Sequence, residues 1–174
     1  PRFLTPAEAA ALAERVPGAP ARVGLFVEPR EEDVAAVLAE MKLDALQIYA
    51  APGILAALRP RFGLPVWRAV PVAGRDDLPS EAGGADRLLL EAKSPPEATR
   101  PGGNAARFDW TLLRGWRAPA AWMLAGGLTP ANVAAAVAAT NARAVDVSSG
   151  VERAPGVKDP SLIRAFIANA RAAG

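Results

Sequence analysis

Residues 123–152, MLAGGLTPANVAAAVAATNARAVDVSSGVE, predict a strand, a glycine turn, a helix, a second strand and a second turn. Leu124 and Ala125 end the first strand, and residues 144–147 form the second. Between them, Thr129 is the predicted N-cap and Pro130 the first residue of a helix that continues to about residue 140. The stretch is therefore a strand–helix–strand unit, the repeating unit of parallel α/β folds.

Each strand of this unit ends in a turn of small residues, Gly126-Gly127 after the first and Ser149-Gly150 after the second. Glycine lets backbone N–H groups approach a ligand closely, and a following helix N-terminus adds positive potential. Either turn alone is better explained as an ordinary tight turn. As a pair separated by one helix, the turns favour a phosphate cradle, the site that follows the last two strands of (β/α)8 barrels.

The composition limits the possible partners and chemistry. With 174 residues, 51% of them apolar, and a net charge of +2, the chain is predicted to form a single domain over residues 1–174. The charges are scattered, which argues against nucleic-acid or membrane partners, and no apolar run is long enough to span a bilayer. We therefore expect a cytoplasmic protein. Because the sequence has no Cys and no His, proton transfer must come from Asp, Glu, Lys or Tyr.

Strands and helices alternate along the whole chain, which predicts an α/β fold with a parallel sheet. The apolar run 22–27 is typical of a parallel strand that is buried on both faces. A long Pro/Gly loop is predicted over residues 93–107. The six predicted strands are 22–27, 43–49, 65–70, 86–92, 120–125 and 144–147.

Three further helices have clear sequence signals at their ends. Thr5-Pro6 and Asp159-Pro160 each combine an N-cap residue with a proline at the first helical position. A helix that begins at residue 52 is expected to end before Pro60, because proline disrupts a helix interior.

The strand count distinguishes two architectures. A (β/α)8 TIM barrel has eight strands, so about six of the eight are present here. The alternative is a six-stranded open doubly wound sheet, which often carries G-x-G-x-x-G after its first strand. That motif is absent, and the phosphate-type turns lie near the end of the chain. Both observations favour the barrel.

Seven stretches, in the same order along the chain, resemble the phosphoribosylanthranilate isomerase family of tryptophan biosynthesis. The last two groups are the most specific. The matching stretches are 1–6 (PRFLTP), 24–27 (GLFV), 46–47 (LQ), 88–90 (LLL), 102–103 (GG) with 108–110 (FDW), 124–128 (LAGGL) with 132–133 (NV), and 146–152 (DVSSGVE) with 156–159 (GVKD).

The resemblance implies a (β/α)8 barrel that catalyses an Amadori rearrangement of N-(5-phosphoribosyl)anthranilate to 1-(2-carboxyphenylamino)-1-deoxyribulose 5-phosphate. It implies no cofactor and no metal, a small-molecule phosphoribosyl substrate, and a monomer or homodimer. A general acid protonates the ribose ring oxygen, and a general base removes a proton from the adjacent carbon of the opened sugar.

The resemblance also assigns roles to individual residues. It places the general acid at Glu91, where most relatives have Asp; the alternative is a surface carboxylate in a loop. Arg2 would bind the anthranilate carboxylate, unless it is a frayed terminal residue. Gln47 and Tyr49 occupy a strand end where relatives often carry Gln-Leu-His-Gly. Tyr49 therefore replaces the His, so that its role is either open or limited to packing against the anthranilate ring.

Arg68 matches a usual Lys and either adds positive charge at the mouth of the barrel or is a solvated surface residue. Asp146 either faces the ribose hydroxyls or is a buried structural residue that bonds its turn. The phosphate cradle is assigned mainly to backbone N–H groups. Its residues are Gly126, Gly127, Ser149 and Gly150.

The family's general base, a Cys in a Lys-Ile-Cys-Gly stretch of the first strand, is absent from the sequence. We therefore expect an N-terminally incomplete barrel that lacks the first strand, first helix and second strand. Three explanations remain open: a segment missing from the printed sequence, a natural truncation that binds phosphoribosyl ligands without turnover, or a different base, with Glu91 and Tyr49 as candidates.

A neighbouring barrel enzyme of the same pathway, indole-glycerol-phosphate synthase, is a third functional reading. It needs a catalytic Lys at a strand end, and Lys93 lies near one. The pattern Gly102-Gly103 followed by Phe108-Asp109 fits the isomerase better.

Overall fold

The structure is a computed structural model that describes residues 3–15, 18, 20–93 and 107–174. Its helices are α1 (Pro6–Glu14), α2 (Glu31–Glu40), α3 (Pro52–Phe62), α4 (Val133–Thr140) and α5 (Pro160–Ala172). Its strands are β1 (Val23–Val27), β2 (Ala45–Tyr49), β3 (Val66–Val72), β4 (Arg87–Ala92), β5 (Ala121–Leu124), β6 (Glu152–Ala154) and β7 (Val157–Lys158).

The first five strands are hydrogen-bonded in chain order, β1-β2-β3-β4-β5, and β6 pairs with β7 in a separate two-stranded sheet. The chain divides into two compact units. The N-terminal unit comprises Pro1–Ala69 and Gly83–Asp86, and the C-terminal unit comprises Val70–Ala82 and Arg87–Gly174. A single domain over residues 1–174 stays a prediction.

In the N-terminal unit, β1, β2 and the first half of β3 pair in parallel, as predicted. Leu46 and Ile48 of β2 are completely buried, because apolar side chains on both faces of a central parallel strand are covered. The prediction that the run 22–27 is buried on both faces is wrong. Leu25 is 57% exposed and Val27 50% exposed, so the face of β1 that carries these two side chains is not covered by the described part of the chain.

In the C-terminal unit, β4 and β5 pair in parallel, with Leu90 opposite Leu124. The predicted strand 144–147 is reduced to a single parallel bridge between Leu124 and Val145. Leu124 N–H donates to the Ala144 carbonyl at 3.0 Å, and Asp146 N–H donates to the Leu124 carbonyl at 2.8 Å. This segment therefore continues the β4–β5 ladder for about one residue on each side of the bridge.

The helix ends confirm two of the predicted caps. Thr5 forms a capping box with Glu8, whose backbone N–H donates to Thr5 Oγ1 at 3.3 Å. Asp159 Oδ1 accepts hydrogen bonds from the backbone N–H groups of Ser161, at 2.7 Å, and Leu162, at 3.2 Å. Within the described ranges, none of the helices is long and apolar enough to cross a membrane.

Two predicted helix boundaries are wrong. α3 continues through Pro60 to Phe62, because a proline in the last turn removes only one backbone hydrogen bond and Gly63 closes the helix with a φ of +65°. α4 begins at Val133 rather than at Pro130, since Asn132 folds the preceding segment into a turn. Thr129 is therefore not its N-cap.

A hairpin at the C-terminal end of the chain was not predicted. β6 and β7 pair antiparallel, with Glu152 opposite Lys158. Gly156 has a φ of +81°, a left-handed conformation that glycine adopts without steric cost. The hairpin lies between the second turn of the predicted phosphate cradle and α5.

Candidate active site

Glu91 lies inside β4, where the three preceding leucines are completely buried. Its own side chain is only 6% exposed. The alternative interpretation, a surface carboxylate in a loop, does not fit this position. A carboxylate is rarely buried to this degree without a specific partner or function.

The first glycine turn, residues 126–129, follows β5 directly. Gly126 has a φ of +89°, and a Cβ atom there would lie 2.7 Å from the backbone nitrogen of Ala92. Ala125 N–H also donates to the Leu90 carbonyl at 2.7 Å. The structure therefore brings the first turn against the strand end that carries Glu91.

Asn132 determines the shape of the first turn. Its Oδ1 accepts from Thr129 N–H at 2.8 Å, and its Nδ2 donates to the Gly127 carbonyl at 3.0 Å. Gly127 has a φ of +65°, which a side chain would disfavour. One amide side chain thus satisfies a donor and an acceptor of the same turn.

The second turn, residues 148–151, contains the single 3-10 turn Ser149–Val151. A Cβ atom on Gly150 would collide with the carbonyl oxygen of Leu128 and would lie 3.2 Å from Thr129 Cα. The two predicted phosphate turns are therefore in backbone contact, as the sequence pattern implied, and residue 150 can only be glycine without a local shift.

Lys158 lies on the neighbouring hairpin and is hydrogen-bonded to the second turn. Its ammonium group donates to the Ser148 carbonyl at 2.7 Å and forms an ion pair with Glu152 at 2.9 Å. The Glu152 side chain is 4% exposed and that of Lys158 is 42% exposed. The partially buried pair places a positive charge against the backbone of the second turn.

The backbone polarity of the two turns favours an anion. The carbonyl groups of Gly126, Gly127 and Ser148 accept hydrogen bonds from Phe108 N–H, Asn132 and Lys158, respectively. By contrast, no acceptor among the described residues takes a hydrogen bond from the N–H groups of Gly127, Ser149 and Gly150. Successive free N–H groups in turns form anion-binding concavities.

Asp146 follows the bridge residue Val145 and precedes the second turn. Its side chain is half-buried. Burial raises the pKa of this carboxyl above its ordinary value of 3.8, and the nearby charge of Lys158 partly lowers it. Both interpretations of Asp146, a contact to ribose hydroxyls and a structural role, fit this position.

The predicted site residues of the N-terminal unit lie on β2 and β3. Gln47 is 7% exposed, Tyr49 is half-buried, and the two share one face of β2. Arg68 pairs with Ile48 and therefore lies on the opposite face. Its Nη1 atom would lie 3.0 Å from a Cβ atom on Gly83. The structure brings Gln47 and Tyr49 together but does not bring Arg68 to them.

Arg2 and residues 94–106 of the predicted loop lie outside the described residues. Where side chains are described, there is no cluster of three or more acidic, His or Cys residues that could hold a metal ion.

Asn132 and Lys158 are the two residues of this region to which the sequence pattern assigned no role. Asn132 stands three residues after Thr129, the spacing at which a side chain can reach back to a backbone N–H. Lys158 follows Gly156 across the hairpin turn, and this glycine was the available signal for the hairpin.

Comparison with known proteins gives a consistent result. The sequence model of the family "N-(5'phosphoribosyl)anthranilate (PRA) isomerase" matches residues 1–169. A relative from Acidiphilium cryptum, named N-(5'-phosphoribosyl)anthranilate isomerase, is 57% identical over 175 residues, which cover 99% of this chain and 83% of that protein.

Two solved structures extend the comparison to the fold. Monomers of the dimeric phosphoribosylanthranilate isomerase from Thermotoga maritima match with a TM-score of 0.80 and 31% identity, over 98% of this chain and 81% of theirs. A phosphoribosyl anthranilate isomerase in complex with reduced 1-(o-carboxyphenylamino)-1-deoxyribulose 5-phosphate matches with a TM-score of 0.79 and 30% identity, over the same shares. The predicted α/β, (β/α)8 TIM-barrel fold is thereby confirmed. The matches do not confirm the predicted absence of an N-terminal strand–helix–strand segment.

Proposed function

The chain belongs to the N-(5'-phosphoribosyl)anthranilate isomerase family, an enzyme family of tryptophan biosynthesis, and we propose that Glu91 is the general acid of its Amadori rearrangement. The observation that carries the proposal is the contact of Gly126 with Ala92. It joins the strand end that holds a buried carboxylate to a turn whose backbone suits a phosphate. The reaction needs both features at one sugar phosphate.

In the proposed reaction, Glu91 donates its proton to the ribose ring oxygen of N-(5-phosphoribosyl)anthranilate. The ring carbon–oxygen bond breaks to give a Schiff base, a general base takes the proton from the adjacent carbon to give the enolamine, and tautomerisation gives the ketone. A positioned acid contributes a rate factor of about 10² to 10⁴. The longer side chain of Glu91, compared with the usual Asp, reaches one methylene further from β4.

The phosphate group would bind the N–H groups of Gly126 and Gly127 in the first turn and of Ser149 and Gly150 in the second. Three features support this assignment. The turns are in backbone contact, their carbonyl groups are occupied by other donors, and Lys158 supplies positive charge nearby. Phosphate sites of this kind depend on backbone donors and local positive potential rather than on many charged side chains.

Side chains outside the two turns would make the remaining substrate contacts. Asp146 would accept hydrogen bonds from ribose hydroxyls, Gln47 and Tyr49 would line the anthranilate side, and Arg2 would bind the anthranilate carboxylate. Arg68 would add positive charge at the mouth of the barrel, and it lies on the other face of β3 from Trp67, the partner of Gln47. No residue of the printed sequence is assigned as the general base.

We further propose a phosphoribosyl small molecule as the ligand, a monomer or homodimer as the working form, and the cytoplasm as its location. The oligomeric proposal follows the family, in which the Thermotoga maritima enzyme is described as dimeric.

The test is the anthranilate-type fluorescence of the substrate after the protein is added. Turnover of phosphoribosylanthranilate converts the fluorophore, so the signal should decay with time at a rate proportional to enzyme concentration. A spectral shift without decay would instead favour the alternative function, a module that binds phosphoribosyl ligands without turnover. The control is the Glu91→Gln variant, which should bind without decay.

A further inference from the structure

We propose that Asn132 and Lys158 are positioning residues that hold the carbonyl groups of the two phosphate turns, so that the N–H groups of the same turns face the ligand. The inference rests on the proposed phosphate site. It adds that each turn is held by one side chain from the segment that follows that turn in the sequence.

The two holding contacts act on equivalent groups. Asn132 Nδ2 donates to the Gly127 carbonyl at 3.0 Å, and Lys158 Nζ donates to the Ser148 carbonyl at 2.7 Å. A peptide plane that turns its C=O to one side turns the N–H of the following residue to the other. Fixing the Ser148 carbonyl therefore fixes the N–H of Ser149. Fixing the Gly127 carbonyl fixes the peptide plane on the C-terminal side of Gly127, and so holds the first turn next to the proposed Gly127 donor.

The side chains are themselves held in place. Asn132 also accepts from Thr129 N–H at 2.8 Å, so both ends of its amide are used within the first turn. Lys158 is paired at 2.9 Å with Glu152, directly opposite it in the β6–β7 ladder. A phosphate turn held in advance loses less freedom when the ligand binds, which favours affinity.

Lys158 and Asn132 differ in charge, and this makes the inference testable. If Lys158 acted only through its charge, any nearby lysine or arginine would do as well. Arg153 provides the matched control, because it lies on the same hairpin, carries the same charge and is exposed. Asn132 carries no charge, so its effect on phosphate binding can come only from position.

The experiment is a titration of two ligands, separately, into the full chain and its variants. One is inorganic phosphate, and the other is reduced 1-(o-carboxyphenylamino)-1-deoxyribulose 5-phosphate, the reduced product analogue. We expect Lys158→Met and Asn132→Ala each to weaken both ligands by about tenfold, the factor of one ordinary hydrogen bond. Arg153→Met should change them by less than about twofold, as for a solvated charge. Lys158→Arg, which keeps a donor, should recover part of the loss.

Two controls separate the possible failures. If the unmodified chain binds neither phosphate nor the analogue, the proposed phosphate site is wrong. If the unmodified chain binds both but Lys158→Met and Asn132→Ala bind equally well, only the positioning inference is overturned. An equal loss in Arg153→Met and Lys158→Met would also overturn it, by showing a charge effect alone. Urea unfolding without ligand reports global damage, and the comparison of Arg153→Met with Lys158→Met remains decisive should Asn132→Ala unfold.

Discussion

The strand end at Glu91 and the two glycine turns lie in the same unit but serve the proposed reaction in different ways. At the strand end, one buried side chain is proposed to carry the chemistry, and its backbone is an ordinary strand. At the turns, the backbone carries the chemistry, and side chains matter because they are absent or because they hold carbonyl groups. Substitutions at Glu91 should therefore change the rate, and substitutions in the turns should change affinity.

The largest expected effect is on catalysis at Glu91. Glu91→Gln keeps the size of the side chain but removes the proton that the proposed reaction needs, so kcat should fall by about 10² to 10⁴. Steady-state fluorescence assays measure the change. The matched variant Glu91→Asp keeps a carboxyl group that can donate a proton and should keep measurable turnover. A Glu91→Gln variant with normal kcat would remove Glu91 from the mechanism.

The next largest effect is expected in the second turn. In Gly150→Ala, the new Cβ would collide with the Leu128 carbonyl, so the two turns must separate. We expect a loss of about 1–3 kcal/mol in the free energy of unfolding, as for other overpacked sites. Binding of the reduced product analogue should weaken as well. Urea denaturation and calorimetric titration measure the two quantities.

The matched control for Gly150 is Gly53, near the start of α3. No atom lies within 4 Å of a Cβ built on Gly53, and its backbone is helical. Gly53→Ala should therefore raise the free energy of unfolding by about 0.4–1 kcal/mol. Equal effects at the two glycines would show that crowding at Gly150 is not the cause.

These two sites also show what the sequence could reveal. The sequence correctly predicted where Glu91 lies in its strand, that the two glycine turns follow strands, and the helix caps at Thr5 and Asp159. The sequence did not predict contacts between backbone segments that are distant along the chain. The collision of residue 150 with Leu128 depends on how two turns meet in space, and no local pattern specifies it.

The errors have local physical causes. α4 begins three residues later than predicted because Asn132 bonds to the preceding turn and competes with the helix start at Pro130. The exposure of Leu25 and Val27 on β1 could not be foreseen, because hydrophobic composition indicates a strand but does not show which of its faces is covered. Side chains alternate along β3, so Trp67 and Arg68 lie on opposite faces. Only the observed register shows that Trp67, and not Arg68, shares a face with Gln47.

A smaller effect is expected at Asp146, where the free energy of unfolding should depend on pH. The pKa of Asp146 is higher in the folded than in the unfolded chain. Its contribution to the free energy of unfolding is therefore largest below about pH 3.8, and it is lost as the pH rises through the folded-state pKa. Relative to Asp146→Asn, the unmodified protein should therefore lose stability as pH increases through this window. Urea unfolding of both proteins between pH 3 and pH 6, roughly, measures the difference. Parallel curves would show that burial does not raise the pKa of Asp146.

The smallest effect is expected outside the C-terminal unit. Leu12 on α1 is 45% exposed, so Leu12→Gln should change the free energy of unfolding by no more than about 0.5 kcal/mol. It should leave kcat and the affinity for the product analogue unchanged. Chemical denaturation and the fluorescence assay check both points, and a large change in either would mean that the exposed side of α1 contributes to the site.

The most direct test of the account is the dissociation constant of Glu91→Gln for the reduced product analogue, measured by calorimetric titration. Because binding is assigned to the turns and proton donation to Glu91, this variant should bind the analogue within about threefold of the unmodified protein while turnover is lost. An affinity that falls as far as the rate would contradict the account. It would show that Glu91 holds the ligand, and that the strand end and the turns form one binding site rather than two separable functions.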